Sequence, residues 1–191
     1  MGLIATRRAK ESQPAGDLSA RLSAVMRRSA APRAEEAEGL GLDPKLQAVG
    51  VLDDALAVIA EVSTLVREAA GHVIGAAGEA EEGPRALLAE RYDDHRRRID
   101  ERQGELTEGA AHLLSIGATA LDVPLRGATY AIAPFPLDTS KTGLDLPPPE
   151  DGFATHQEVA DTLRRVELAL ERLSRVRAIY LADRAFLVGG R

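Results

Sequence analysis

Apolar residues recur at steps of three and four positions along the first long stretch of the chain, which is the pattern of a helix that buries one face. The stripe comprises Leu46, Val49, Leu52, Leu56, Ile59, Val62 or Ser63, Val66, Ala69 or Ala70, and Val73. Asp43 suits the N-cap, and Pro44 suits the first helical position, whose N–H has no intrahelical partner. The pattern predicts a helix over 44–74, about 45 Å long.

A second stretch has apolar residues at a strict spacing of seven around a very polar centre. These residues are Tyr92, Ile99, Leu106 and Leu113. This spacing predicts a narrow coiled-coil seam over residues 84–115 rather than a broad core face. Because the connection over residues 75–83 is short, we expect this helix to run antiparallel to the first.

A third helix, over residues 155–187, is predicted by a capping box and a heptad-like pattern. Thr155 and Glu158 have the spacing of the box. The apolar positions that follow are Val159, Leu163, Val166, Leu170, Leu173, Val176 and Tyr180. Since each long helix has one seam, we expect the three seams to be buried against one another.

Between the second and third helices the pattern changes to strict alternation. The alternating apolar positions are Leu121, Val123, Leu125, Tyr130 and Ile132, with Gly127 between the two runs. They predict a small β-hairpin at about 119–133. The prolines that follow, from Pro134 to Pro149, predict an ordered loop or a linker. The predicted fold is therefore mainly α: an elongated antiparallel bundle of three long helices over residues 43–191, with the hairpin between the second and third.

Residues 1–42 form a separate segment, rich in Ala, Arg, Ser and Glu and interrupted by proline and glycine. Low hydrophobicity and several breakers predict a mostly flexible segment with one short helix over residues 17–28. One face of that helix carries Leu18, Leu22, Val25 and Met26. These four residues are candidates for docking into a partner groove.

Composition narrows the classes of function. Apolar residues make up 45% of the chain, but only six residues are aromatic, which suits thin helices packed side by side. A net charge of −6 with interspersed signs argues against general nucleic-acid binding. No apolar run reaches the length of a membrane span, and none follows the basic N-terminal residues, so we expect no Sec-type signal peptide.

Candidate chemistry is sparse. The chain has no cysteine, and none of His72, His95, His112 and His156 pairs with another at a metal-ligand spacing. No glycine-rich phosphate loop follows a strand, and Ser140-Lys141 has no oxyanion-hole motif around it. We therefore predict no catalytic, cofactor or metal site, and a protein that is not an enzyme.

Several motifs, in order, resemble those of bacterial flagellins and hook-filament junction proteins. They are Arg21-Leu22-Ser23 with Arg27, Glu35-Glu36 and Gly39-Leu40; Leu52-x-x-Ala55-Leu56-x-x-Ile59-x-x-Val62; Arg67-Glu68-Ala69-Ala70; Arg85 to Glu90; Ile99-Asp100; Gly109-x-x-x-Leu113-Leu114-x-x-Gly117; Leu137-Asp138 with Gly143-Leu144; and Arg177-Ala178. The resemblance covers residues 21–182. It implies a structural protein of the flagellum, secreted without a signal peptide, with flagellin-family or export and assembly proteins as partners. It also implies partner-interface candidates Arg67, Glu68, Arg85 and Glu90.

The sequence departs from the family pattern at its two ends. Two extra residues, including Pro32, interrupt the opening motif, and most of the family's N-terminal helix is missing. The sequence ends at Arg191, without a counterpart to the family's C-terminal helix. We therefore do not expect ordinary filament formation, although self-association stays open.

Two other functions are compatible with the sequence. The first is a cytoplasmic, flagellin-derived adaptor or regulator that binds flagellins or export factors through its exposed seams. The second is an unrelated coiled-coil interaction module whose motif matches are accidental.

Overall fold

The computed structural model describes residues 43–189, which are mainly helical and include one small antiparallel sheet. The predicted mainly α class and the small sheet are confirmed. The expectations for residues 1–42, including the short helix and its apolar face, lie outside the described residues. None of the helices within 43–189 has both the length and the apolar character of a membrane span.

Helix α1 spans Pro44–Gly78 and begins where the sequence predicts. Asp43 caps it by accepting a hydrogen bond from the Lys45 N–H at 2.9 Å. Its buried residues repeat at alternating steps of four and three, from Ala48 through Leu52, Ala55, Ile59, Val62, Val66, Ala69 and Val73 to Ala76. This is a heptad seam. Leu46, expected in the stripe, is instead 64% exposed because it lies two positions before the seam begins.

The predicted second helix is broken into two. Helix α2 spans Glu82–Gly104 and helix α3 spans Glu108–Leu114. The break follows from local chemistry: Gly104 is a poor helix former, and the Thr107 hydroxyl caps α3 by accepting from the Ala110 N–H at 3.2 Å. A continuous helix over 84–115 is therefore wrong. Tyr92, Ile99 and Leu113 of the predicted seam are nevertheless buried.

Strands β1 (Leu121–Leu125) and β2 (Ala128–Ile132) pair antiparallel, with Leu121 opposite Ile132 and Leu125 opposite Ala128. Val123 and Ile132 are buried. Pro124 lies within β1, which it can occupy because each strand of a two-stranded sheet is an edge strand.

Helix α4 spans His156–Gly189. The Thr155 hydroxyl accepts from the Glu158 N–H at 3.1 Å, as half of the predicted capping box. The other half does not form, because Glu158 Oε1 accepts instead from the Glu150 and Asp151 N–H groups. Leu163 and Leu170, expected in the seam, are half-buried, whereas Thr162 and Ala169 beside them are buried.

Helix α1 packs against α2, α3 and α4. It runs antiparallel to α2, because Glu61 pairs with Arg102 while Glu68 lies beside His95. It also runs antiparallel to α4, because Asp53 pairs with Arg184 while Arg67 lines a depression with Leu170. The residues between β2 and α4, 133–155, are an ordered segment with Leu137, Leu144, Leu146 and Phe153 buried.

This segment 133–155 bonds to α2 on one side and to α4 on the other. Arg96 Nε donates to the Leu146 carbonyl at 2.8 Å, and Arg172 Nη1 donates to the Gly143 carbonyl at 3.0 Å. The ring of Tyr92 packs on Phe153, and its hydroxyl donates to the Pro147 carbonyl. The segment 133–155 therefore covers part of the helical seams. The expectation that the seams are buried against one another alone is wrong.

Candidate partner interface

The sequence-predicted interface residues on α1 point in two directions. Arg67 and Glu68 are consecutive, so helical geometry separates their side chains by roughly 100°. Arg67 faces α4, where it borders a surface depression together with Ser174 and Arg177. Glu68 faces α2, with Oε2 3.5 Å from His95 Nδ1. The two residues do not contribute to one site.

Arg85 has an internal role. It is 6% exposed, and its guanidinium donates to four backbone carbonyls. Nε donates to Phe153, Nη2 to Ala154, and Nη1 to Glu79 and Ala80, at 2.6–3.2 Å. Arg85 therefore joins the end of α1 to the segment that leads into α4. The prediction that Arg85 belongs to a partner interface is corrected: the residue is buried and structural.

Of the remaining interface candidates, one belongs to residues 43–189 and four lie outside them. Glu90 is exposed on α2. Leu18, Leu22, Val25 and Met26 lie outside the described residues.

The depression beside Arg67 is formed by α1 and α4 together, and we name it the α1/α4 groove. It has a volume of about 500 Å³ and is lined by Ala60, Ser63, Thr64, Arg67, Leu170, Ser174 and Arg177. Its α1 side carries small residues, which give the groove a low floor there. The hydroxyls of Ser63 and Thr64 donate back to the carbonyls of Ile59 and Ala60 in their own helix.

The interface between α1 and α4 is electrostatically asymmetric. Towards the C-terminal end of α4, outside the groove, Arg184 crosses to Asp53 on α1 and forms an ion pair, and this contact raises the pKa of Arg184. In the groove itself, Arg67 and Arg177 are both exposed and have no acidic partner among residues 43–189. Two arginines at one depression leave a local excess of positive charge on a chain whose net charge is −6.

Exposed apolar side chains lie beyond the groove, on the side towards the start of α1. Leu46, Phe186 and Val188 are 64%, 49% and 55% exposed, and they border a second depression of about 730 Å³ with Val49 and Leu125. Leu181, 41% exposed, lies between Arg177 and Arg184 on the same face of α4. We name Leu46, Leu181, Phe186 and Val188 the apolar edge.

Sequence reasoning identifies Arg67 but not its neighbours across the groove. Arg177 enters only through its family-like motif, and Ser174 belongs to no motif. A usable indication is nevertheless present: one face of α4 that the buried seam does not use carries residues at steps of three and four, namely Ser174, Arg177, Leu181, Arg184 and Val188. The sequence alone does not show which face of α1 this face adjoins.

A second cluster lies between α1 and α2, where His72 stacks on His95. Burial lowers the pKa of His72, and the neighbouring His95 and Arg91 lower it further, while Glu68 opposes them. Within residues 43–189, no group of three or more His, Asp or Glu side chains has an arrangement that could hold a metal ion.

No protein-family model matches this chain, and no curated protein is significantly similar to it.

Proposed function

We propose that this protein is a non-enzymatic, flagellin-like structural protein of the bacterial flagellum, either a divergent or minor flagellin or a junction-type component. In this proposal it leaves the cell by the flagellar type III route. Helix α1, the broken pair α2 and α3, and helix α4 serve as the three long helices of a flagellin-type bundle, with the β-hairpin between the second and the third.

The observation that carries the proposal is the close packing at Gly143, a glycine of the family-like motifs. At Gly109, a Cβ would meet only the side chain of the exposed Asp54, which can turn aside. A Cβ at Gly143 would collide with the Asp138 side chain and with the carbonyl oxygens of Asp138 and Pro136. Gly143 is thus held by packing of the kind that constrains a sequence.

The leucines of the same motifs support this interpretation. Leu113 and Leu114, which follow Gly109, are fully buried, and their carbonyls accept from the N–H groups of Phe135 and Leu137. Leu137 and Leu144, which flank the turn that contains Gly143, are also fully buried. Burial of these four leucines is what the resemblance requires of its motifs.

A second candidate function is a cytoplasmic adaptor that binds flagellins or export factors. The α1/α4 groove favours it, because its two arginines without an acidic partner in 43–189 and the exposed apolar residues nearby suit a surface that receives another helix. The same groove suits contacts within an assembled flagellum, so the two candidates differ in location rather than in surface.

Quantitative mass spectrometry of sheared flagellar filaments and of the cytoplasm of the same cells tests the proposal. Enrichment of this chain in the filament fraction, relative to a cytoplasmic marker enzyme, is the expected result. Its confinement to the cytoplasm together with co-purification of flagellin would favour the adaptor. Absence from filaments without any flagellar protein co-purifying would leave only the unrelated coiled-coil module and overturn both.

A further inference from the structure

We propose that the α1/α4 groove binds an amphipathic helix of a partner protein whose groove-facing edge is acidic. The inference deepens the proposed function by stating the chemistry of the partner. It rests on that function only in requiring an interaction protein, and it follows from the charges and exposed side chains of α1 and α4.

Charge complementarity determines the sign of the partner's charge. The exposed guanidinium groups of Arg67 and Arg177 border one depression and pair with no acid among residues 43–189. The ion pair of Arg184 with Asp53, which joins the same two helices, is an internal example of the same contact. A carboxylate presented between Arg67 and Arg177 would receive charge-assisted hydrogen bonds, and the exposed Ser174 hydroxyl offers a further donor.

The apolar edge determines the shape of the partner. From Leu46 at the second depression to Arg67 in the groove, α1 spans 21 positions, which is about 30 Å of helix at 1.5 Å per residue. Leu181 lies beside the arginines, and Leu46, Phe186 and Val188 lie at the far end. A partner helix of about 20 residues would place apolar side chains along that edge and acidic ones at the arginines.

The small residues allow such a helix to approach closely. Ala60, Ser63 and Thr64 give α1 a low surface at the centre of the groove, opposite Ser174 of α4. The hydroxyls of Ser63 and Thr64 are already bonded within α1, so covering them leaves no unpaired donor on these two side chains.

Two designed peptides test the proposal against the full-length chain by fluorescence anisotropy. Both are amphipathic helices of about 20 residues with the same apolar face; one has Glu and the other Lys at the flanking positions. We expect the Glu peptide to bind at least about tenfold more tightly than the Lys peptide, and its affinity to fall as NaCl is raised. Equal affinity of the two peptides, or no binding of either at about 1 mM, would overturn the proposal.

Charge reversal localises the site. The double variant Arg67→Glu/Arg177→Glu should bind the Glu peptide at least about tenfold more weakly than the wild type does. Its affinity for the Lys peptide should rise. The matched control Arg98→Glu/Arg164→Glu changes net charge equally at exposed positions outside the groove, and it should bind like the wild type. Circular dichroism should show unchanged unfolding for both. An equal loss of affinity for the Glu peptide in the two double variants would mean that the charge effect is diffuse, and it would refute the assigned site.

The apolar edge and a second copy of the chain are tested separately. Leu181→Ser should weaken both peptides equally, because it removes apolar area without changing charge. Analytical ultracentrifugation of the wild type should show a monomer. A dimer that Arg67→Glu/Arg177→Glu dissociates would assign the groove to a second copy and overturn the partner proposal.

Failure of this proposal and failure of the proposed function give different results. A protein enriched in filaments that shows no preference for the Glu peptide keeps its flagellar role and loses the acidic partner. A protein found in no flagellar fraction that binds the Glu peptide through Arg67 and Arg177 loses the flagellar role and keeps the groove.

Discussion

The imidazole rings of His72 on α1 and His95 on α2 stack across the helix interface, with centroids 5.2 Å apart and planes inclined by 29°. Glu68, one turn before His72, lies 3.5 Å from His95 Nδ1 through its Oε2. Burial is the main cause that lowers the pKa of His72, and His95 and Arg91 act in the same direction. The interface therefore favours the neutral form of His72.

We predict that stability falls as the pH is lowered from about 7.5 to about 5.5. An unfolded histidine titrates near its ordinary pKa of 6.5, whereas folded His72 titrates below it. Between the two values the unfolded chain binds more protons, so acid favours unfolding, and the loss begins as the pH falls through 6.5. Urea unfolding at several pH values measures it.

The variant His72→Gln should flatten this pH dependence, since it removes the group whose pKa differs between the folded and unfolded states. His156→Gln is the control, because His156 is exposed at the start of α4. An identical slope in the wild type and in His72→Gln would show that other groups cause the acid sensitivity.

The second prediction concerns Arg85. Replacing it with Met keeps much of the side-chain volume but leaves four carbonyls without their donor, those of Phe153, Ala154, Glu79 and Ala80. We expect a loss of roughly 3 kcal/mol in the free energy of unfolding, because hydrogen bonds from charged donors contribute more than neutral ones. Urea denaturation at neutral pH measures the loss.

Arg98→Met is the matched control for Arg85→Met. Arg98 is exposed on the same helix, and surface substitutions away from specific contacts change stability by less than about 0.5 kcal/mol. Equal stability of the two variants would mean that the four bonds of Arg85 are replaced by water at no cost.

Two leucines of α4, Leu173 and Leu170, differ in how deeply they are buried. Leu173 is 1% exposed, whereas Leu170 is half-buried beside the α1/α4 groove. Leu173→Ala should cost about 2–5 kcal/mol, the range for truncating a buried leucine, and Leu170→Ala should cost clearly less. Thermal and chemical unfolding should rank the two. The reverse order would place the seam of α4 on the face that carries Leu170.

How far the sequence predicts this fold depends on the range of the interactions involved. The start of α1 is predictable because Asp43 and Pro44 act on the adjacent turn. The choice of Ala169 rather than Leu170 for the seam is not, because both lie on neighbouring heptad registers and only the position of α1 decides between them. The hydrophobic pattern places the larger side chain, Leu170, in the core. A close contact between two helices instead favours the smaller one, Ala169.

The same limit applies to the candidate site. Arg85 has its acceptors up to 69 positions away, so its burial depends on the path of residues 133–155, which no local pattern predicts. Arg67 and Arg177 line one groove because α1 and α4 run antiparallel in one particular register, and a heptad pattern leaves that register free. Their shared charge is apparent only when the two helix faces are placed side by side.

The last prediction contrasts two glycines that a sequence cannot distinguish. Gly71 lies inside α1 with nothing within 4 Å of the place that a Cβ would occupy, so Gly71→Ala should stabilise the protein by about 1 kcal/mol through helix propensity. At Gly143 the same methyl group would collide with Asp138 and Pro136, and two of the colliding atoms are backbone oxygens that cannot move away alone. Gly143→Ala should therefore cost about 1–3 kcal/mol, partly by disturbing the 2.8 Å bond from the Leu144 N–H to the Asp138 carbonyl. Chemical unfolding of both variants measures the difference. If Gly143→Ala is as stable as the wild type, this turn is loose, and the close packing on which the proposed flagellin-like function rests is lost with it.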